Sequence, residues 1–395
     1  MTSEWHEVPL RELVGYISKG IAPSYAEEAS ETTIRVLNQK CNRNFRISYG
    51  DSRLHDTLKK KVPPERYVKP DDILINSTGA GTAGRIAQIE DVPSATTIDG
   101  HMTLIRSNGK VTQKFLGYAL KAHQWEVLQL DEGSTGQTEL NRDRLLDEIM
   151  INYPVSFDEQ NAIVGTLESI DRKLIVNEQL NDNLQQQAFS VFDNLIANAE
   201  NNDYTVSDYA FLNPKRTLAK NQVARSIDMS QLSTSGAFPS GWEMKPFNGG
   251  MRFTNGDTLL ARITPCLENG KTAFIDFLDD GEVAFGSTEY IVLAPKNDTP
   301  PEMLYCLARY PAFVDYAVKN MNGSSGRQRV SAETVGQYRL PLFDKHSLVL
   351  FKEVVSPMFL KMRYNSLENM RLAELRDALL PKLMSGEIDG SAVQL

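Results

Sequence analysis

An internal repeat constrains this chain of 395 residues more than any other sequence feature. DEGSTGQTELNRDRL (131–145) recurs as MNGSSGRQRVSAETV (321–335), with Gly133 opposite Gly323 and Gly136 opposite Gly326. GHMTLIR recurs as TEYIVLA and FLGYALK as MLYCLAR, both at an offset of 188 residues. Because the pieces follow the same order twice, the sequence predicts two copies of one structural unit.

Each half ends in a long stretch whose apolar residues alternate steps of four and three, the pattern of a coiled-coil seam. The seam positions are Ile163, Leu167, Ile170, Leu174, Asn177, Asn181, Leu184, Ala188, Val191 and Leu195, then Phe351, Val355, Met358, Met362, Asn365, Asn369, Leu372, Arg376, Leu379 and Leu383. Asparagines occupy the same two positions of both seams. Asparagine there lowers stability but fixes register and partner, so we expect an antiparallel coiled coil. Pro357 predicts a kink or a late start of the second helix.

The rest of each half consists of short β-rich segments, Gly and Pro punctuation and small helices. The sequence therefore predicts an α+β fold, in which two mixed α/β domains in pseudo-twofold repeat are separated by the two long helices. The expected boundaries are 1–156 for the first domain, 157–200 for the first helix, 201–343 for the second domain, 344–386 for the second helix and 387–395 for a tail.

Composition narrows the class of protein. The three cysteines are far apart and form no C-x-x-C, and the five histidines have no metal-binding spacing, so we expect neither disulfides nor a metal site. The N-terminus has no apolar signal core, and no apolar run reaches 18 residues. We therefore expect a cytoplasmic protein with no membrane partner.

The net charge of −9 conceals an uneven distribution. Residues 35–69 contain ten basic and three acidic side chains, whereas residues 157–203 contain nine acidic and two basic ones. Such runs are often only solvated faces. Two windows of opposite charge nevertheless indicate that different regions meet different partners.

The stretch NSTGAGTAG places Gly79, Gly81 and Gly84 in the G-x-G-x-x-G spacing of a dinucleotide-binding loop. Such a loop must open a helix, and Pro93 leaves no room for one after Arg85. The segment favours a strand, a turn and a strand, and its counterpart ARITPCLENG keeps only the last glycine. A nucleotide-binding enzyme remains an alternative, as does a coiled-coil adaptor without a DNA role.

No catalytic motif is recognisable, since G-x-S-x-G and the P-loop are absent. Asn213-Pro214 is followed by Lys-Arg and so does not form the N-P-P-[FY] loop that grips a flipped adenine. We expect no catalytic residue and no cofactor held by this chain. Polar and basic side chains in loops suit phosphate and base-edge contacts, although a solvated loop before helix caps at Asn141 and Ser331 is the simpler reading. The candidate DNA contacts are Lys19, Arg43, Arg46, Lys59, Lys60, Lys61, Ser77, Thr78, Ser134, Thr135, Gln137, Lys215, Arg216, Arg262, Thr264, Lys271, Ser324, Ser325, Arg327 and Gln328.

These features resemble the DNA-specificity subunit of Type I restriction–modification systems over nearly the whole chain. EWHEVPLRELVGYISKGIAPSY resembles the start of a target-recognition domain of that family. GSTGQTELNRDRL followed by INYPVSFDEQNAIVGTLESIDRKLIVNEQL resembles its domain-to-helix junction. GDTLLARITPCLENGKTAFI and LAELRDALLPKLMSGEID resemble its second recognition domain and C-terminal end.

The resemblance implies two target-recognition domains, each reading one half of a split, asymmetric site in double-stranded DNA, with the helices as a ruler between them. It implies no catalysis by this chain. Two methyltransferase subunits, which bind S-adenosylmethionine and methylate adenine, are expected to dock on it, and restriction subunits can join. The acidic first helix departs from the family pattern and puts the strength of that docking in doubt.

Overall fold

A computed structural model describes residues 4–79, 81–132, 139–199, 203–324 and 326–390, with only the backbone at 131–132. The chain divides into two compact units. Unit 1 comprises Met1–Asp171 with Glu374–Leu395, and unit 2 comprises Arg172–Ala373. Each unit contains sheets, short helices and parts of two long helices, so the predicted α+β fold is confirmed.

Unit 1 is built mainly of short strands. Its strands are β1 (Trp5–Pro9), β2 (Val14–Lys19), β3 (Tyr25–Ala26), β4 (Thr33–Leu37), β5 (Asn42–Arg43), β6 (Arg46–Ile47), β7 (Arg53–Asp56), β8 (Ile73–Asn76), β9 (Ile86–Gln88), β10 (Thr96–Ile98), β11 (Met102–Ser107), β12 (Asp131–Glu132), β13 (Glu139–Leu140) and β14 (Met150–Pro154). Its short helices are α1 (Gln113–Ala122), α2 (Gln124–Val127) and α3 (Arg142–Glu148). Four strands form an antiparallel sheet in the order β2-β11-β8-β9, and four others follow the order β10-β4-β7-β3 with β10 parallel to β4.

Unit 2 repeats this plan. After the long helix α4 (Phe157–Ala197) its strands are β15 (Tyr204–Thr205), β16 (Ala210–Leu212), β17 (Val223–Ile227), β18 (Glu243–Pro246), β19 (Met251–Phe253), β20 (Thr258–Ala261), β21 (Thr272–Phe274), β22 (Ala284–Gly286), β23 (Tyr290–Pro295) and β24 (Arg339–Leu340). Its helices are α5 (Val206–Tyr209), α6 (Pro301–Arg309), α7 (Pro311–Lys319), α8 (Ala332–Gly336) and the long α9 (Lys345–Met384).

The sheet orders confirm the duplication. The order β16-β23-β20-β21 in unit 2 matches β2-β11-β8-β9 in unit 1, and the parallel pair β17/β22 matches β4/β10. A helix follows the repeated strand in both units: α1 follows β11, and α6 follows β23. The predicted caps are also present, because Asn141 accepts hydrogen bonds from the first turn of α3 and Ser331 accepts one from the first turn of α8.

The two long helices pair inside unit 2 through the predicted asparagines. Asn177 donates to Asn369 Oδ1 over 2.8 Å, and Asn365 donates to Asn181 Oδ1 over 2.8 Å. Along α4 the residue number rises from Asn177 to Asn181, while that of the paired residue on α9 falls from Asn369 to Asn365. The helices are therefore antiparallel, and the predicted coiled coil is confirmed. Asn177 and Asn365 are buried. A buried amide needs a hydrogen-bonding partner, which makes this register preferable to its alternatives.

Inside unit 1 the same helices form part of the domain core. Ile163, Val164 and Leu167 of α4 share a cluster with Leu380 and Leu383 of α9. The helix bounds lie close to the predicted ones, although the division into units passes through both helices, so the five-part boundaries stay a prediction.

The predicted late start at Pro357 is wrong. Helix α9 begins at Lys345 and runs through Pro357. The packing of Phe351, Val355 and Phe359 in the core of unit 2 holds the helical turn on both sides of the proline. Tertiary burial here outweighs the hydrogen bond that proline removes. Within the described residues, every helix is too short or too polar to cross a membrane.

Candidate nucleic-acid interface

Three chain segments meet at one end of the central sheet of unit 1. Leu140 N donates to Ser77 O over 2.8 Å, and Ser77 N donates to His101 O over 2.7 Å. Thr78 forms an isolated β-bridge with Glu139, and its hydroxyl lies 2.7 Å from His101 Nδ1. The end of β8, the start of β11 and strand β13 are therefore fixed beside one another.

Unit 2 builds the same arrangement from different residues. Val330 N donates to Arg262 O over 3.0 Å, and Arg262 N donates to Glu289 O over 3.0 Å. Ile263 forms an isolated β-bridge with Arg329. We call this meeting point the loop junction, which comprises residues 77–78, 101 and 139–140 in unit 1 and residues 262–264, 289 and 328–330 in unit 2.

The two loop junctions place opposite charges at one equivalent position. In unit 1, Lys19 forms an ion pair with Glu139. In unit 2, the position equivalent to Glu139 is Arg329, whose guanidinium donates to Glu289 in three contacts of 2.8–3.0 Å. These hydrogen bonds lower the pKa of Glu289 and raise the pKa of Arg329. The pair is therefore fully charged at neutral pH.

The segment before Arg329 is a closed loop. Asn322 and Arg329 exchange two backbone hydrogen bonds of 2.9 Å, and Arg327 N donates to Ser324 O over 3.0 Å inside the loop. Thr264 N donates to Gln328 O over 3.0 Å, which fixes the loop to the end of β20. The loop leaves Ser324 and Arg327 exposed. Of the other loop candidates, Ser325 and the unit 1 residues Ser134, Thr135 and Gln137 lie outside the described residues.

The remaining candidates differ in exposure. Arg43, Lys59, Lys60, Lys61 and Lys215 are exposed, while Lys19, Arg46, Thr78, Arg262, Thr264, Lys271 and Gln328 are half-buried. Lys60 uses its ammonium on Ala22 O at 2.8 Å, and Lys59 lies 3.9 Å from Asp56. Their roles as DNA contacts stay predictions.

Three candidates occupy structural positions. Ser77 is fully buried, with its hydroxyl 2.6 Å from Thr103 Oγ1. Lys271 donates to Met229 O over 2.6 Å. Arg216 donates over 2.7 Å to Asp257, which is 1% exposed. Burial raises the pKa of Asp257 to about 7, although the Thr254 N–H and the Arg216 guanidinium lower it.

The glycine-rich stretch is a strand, a turn and a strand, as predicted. β8 pairs antiparallel with β9 directly after the turn, so residues 81–92 offer no helix N-terminus to a pyrophosphate. A Cβ at Gly84 would lie 2.9 Å from the carbonyl oxygen of Val127, which explains that glycine by close packing on α2. Asp99, 20 residues after Gly79, accepts from His101 N over 2.9 Å and so supports the turn before β11.

Sequence reasoning missed His101, Glu289 and Arg329. The signal was available, because His101 and Glu289 each lie just before the repeated strand, in GHMTLIR and TEYIVLA. The hydrogen bonds add that these two residues lie beside β13 and its counterpart.

Comparisons with known proteins agree with this geometry. Residues 2–186 match the family model described as Type I restriction modification DNA specificity domain. The specificity subunit of the Type I restriction enzyme HindI from Haemophilus influenzae is 30% identical over 96 residues, which is 24% of this chain and 21% of that protein. The specificity subunit of the Type I restriction enzyme EcoAI from Escherichia coli is 33% identical over 133 residues, which is 32% of this chain and 22% of that protein. The chain thus spans about a fifth of the length of the curated relatives it matches.

Among solved structures, the fold is similar to that of the S subunit of a Type I restriction–modification system from M. genitalium. The TM-score is 0.58 at 17% identity, and the match covers 97% of this chain and 99% of that one. At this identity the likeness concerns the fold.

Proposed function

Because residues 2–186 match the family model of the Type I restriction modification DNA specificity domain, we propose that this chain is the DNA-recognition subunit of such a complex and performs no catalysis itself. In this proposal each unit reads one half of a bipartite, asymmetric site in double-stranded DNA. S-adenosylmethionine belongs to the methyltransferase partner.

The repeated loop junction carries the proposal. The same three segments meet in both units through equivalent backbone hydrogen bonds. The side chains differ, because unit 1 has His101 and Glu139, the latter paired with Lys19, whereas unit 2 has Glu289 and Arg329. A constant frame with exchanged charged and polar side chains suits a protein that must read two different base sequences. Arginine, amide and hydroxyl groups are the side chains that distinguish base edges in the major groove.

The basic segment 35–69 supports the sequence-independent part of binding. Lys59, Lys60 and Lys61 are exposed on it, and Arg43 lies at the hairpin β5–β6. Lysine and arginine release counterions when they neutralise phosphates, which makes the affinity salt-dependent.

An apolar groove in unit 2 supports docking of a protein partner. The groove has a volume of about 590 Å³ and is lined by Leu195 of α4 and by Leu350, Phe351 and Val354 of α9. Leu342, Leu350 and Val354 are each more than two-fifths exposed. Apolar side chains that stay exposed on two neighbouring helices offer a surface on which a protein partner can pack. We assign it to a methyltransferase subunit, two of which, with restriction subunits able to join, would complete the complex.

Mapping methylated adenines tests the proposal. The chain is produced together with the adenine methyltransferase subunit of the proposed complex, and the modified adenines of the host genome are sequenced. We expect one bipartite, asymmetric motif. Arg327→Ala should relax one half of the motif and Thr78→Val the other, each by about tenfold, because a specific base contact is worth about 1–3 kcal/mol.

The control is Lys110→Ala. His101 precedes the start of β11, whereas Lys110 follows its far end, so this variant should leave both halves of the motif unchanged. Absence of any methylated motif with a functional methyltransferase would refute the proposal. Relaxation of the same half by both variants would refute the assignment of one half to each unit.

A further inference from the structure

Trp125 is a large aromatic residue that unit 1 leaves in solvent. It lies on α2 with 75% of its surface exposed. Packing within unit 1 therefore does not explain this aromatic residue. Tryptophan combines a large apolar surface with a polar N–H and is enriched where proteins bind partners.

The residue beside Trp125 fastens α2 to the glycine-rich turn. Gln124 donates to Gly84 O over 2.8 Å and accepts from Ile86 N over 2.9 Å. Arg85 lies between these two anchor points, and its guanidinium donates to Gly81 O over 3.1 Å. The indole and the Arg85 side chain thus belong to two segments that are bonded to each other.

The hairpin β5–β6 is bonded to the same turn. Asn42 donates to Arg85 O over 2.8 Å, and Phe45 forms an isolated β-bridge with Ala87. Arg43 and Arg46 flank the hairpin turn, where Arg43 is exposed and Arg46 half-buried. Three bonded segments of unit 1 therefore carry three arginines and one exposed tryptophan.

Two acidic groups near this patch have partners among the described residues. Glu126, the neighbour of Trp125, lies 3.0 Å from His123 Nδ1 and is engaged there. Asp171 faces Lys121 and Arg376 in the interior of unit 1. Although burial by itself raises the pKa of Asp171, Lys121, Tyr118 and Arg376 together outweigh it and hold that pKa below its usual range.

We propose that Trp125, Arg43, Arg46 and Arg85 form a second DNA contact of unit 1, in which the indole packs on the duplex beside the half-site and the guanidinium groups bind phosphates. The inference rests on the proposed function. A basic surface interleaved with an exposed aromatic residue is the combination that holds nucleic acid through charge and apolar contact together.

The experiment measures affinity of the assembled complex for a duplex containing the cognate site, at several salt concentrations. Trp125→Ala should weaken binding about tenfold at every salt concentration, because burial of the indole against the duplex removes apolar surface from water and releases no counterion. Arg43→Gln should reduce the slope of log affinity against log salt by about one, as expected for one lost phosphate contact.

Two further variants sharpen the test. Trp125→Phe keeps an aromatic ring and should bind within about threefold of the wild type. Phe211→Ala removes another exposed aromatic residue, 54% exposed on β16 of unit 2, and should leave the affinity unchanged. Thermal unfolding of Trp125→Ala should match the wild type because an exposed residue contributes little to the core.

Unchanged DNA affinity of Trp125→Ala would overturn the inference. The inference would also be overturned if Trp125→Ala failed to assemble with the methyltransferase while its DNA contacts persisted. That result would assign the surface to a protein partner. The same titration compares cognate with random DNA for the wild type. Equal binding of both would overturn the proposed function instead, so the two failures are distinguishable.

Discussion

Single side chains decide what each loop junction can contact. Glu289 holds the guanidinium of Arg329 in three hydrogen bonds, so the donors of Arg329 point in a fixed direction. Glu289→Gln should release Arg329 and lower discrimination in the half-site read by unit 2 by about tenfold, because each specific base contact is worth about 1–3 kcal/mol. Methylome sequencing of the complex measures this. Glu268→Gln, an exposed acidic residue of the same unit, is the control and should keep the motif intact.

Asp257 makes the stability of unit 2 depend on pH. Burial raises its pKa from the ordinary 3.8 to about 7, so between these values the folded state binds a proton that the unfolded state releases. This contribution to stability is complete below about pH 4 and is lost as the pH rises through 7. Asp257→Asn should remove this part of the pH dependence in denaturant unfolding, whereas Asp279→Asn, at an 83% exposed side chain, should retain it. Identical pH profiles for the wild type and Asp257→Asn would contradict the assignment.

At the scale of elements, the asparagine pairs fix how the long helices meet. Asn177→Leu should destabilise the pairing by about 1–3 kcal/mol, because it leaves the Oδ1 of Asn369 without its donor. Asn177→Leu combined with Asn369→Leu should recover most of that loss, which a double-mutant cycle on unfolding free energies measures. Asn183→Leu, at an exposed position of α4, is the matched control. Additive effects would show that the two asparagines act independently.

The glycine-rich turn is an element shaped by packing. Gly84→Ala should destabilise unit 1 more than Gly81→Ala. Both positions have positive φ, which costs about 1–2 kcal/mol for alanine, and only the Cβ at Gly84 meets a backbone atom at 2.9 Å. Thermal unfolding of both variants tests this order. Tight binding of a nicotinamide cofactor that Gly81→Ala abolished would instead favour the nucleotide-binding alternative.

At the scale of the whole molecule, a net charge of −9 coexists with a proposed DNA-binding role because the charges are segregated. Reversal of Lys59, Lys60 and Lys61 to glutamate should weaken DNA binding and lower the salt slope by roughly one unit per lost phosphate contact. Titrations of the assembled complex at several salt concentrations measure both. Reversal of Lys352 and Lys361, which are exposed on α9, is the control and should leave the slope unchanged. An unaltered slope in the triple variant would favour an adaptor without a DNA role.

The repeat predicted much of this architecture because duplication leaves its mark in local patterns. The offset of 188 identified the two halves, the seam spacing identified both long helices, and the asparagines identified their register. Helix breaks were harder to place, because residues 113–127 form two helices, α1 and α2, that are separated at His123. Periodicity reports which face is buried and carries little information about where a chain turns.

Sequence by itself determined the duplicated α+β plan and the two helix seams, since both depend on residue spacing along the chain. Only the tertiary structure decided which polar residues meet. His101, Glu289 and Arg329 became neighbours of the predicted loops through hydrogen bonds between strands far apart in sequence. It also decided that Ser77 and Arg216 face inward and that Trp125 faces solvent, because burial depends on what packs against a residue.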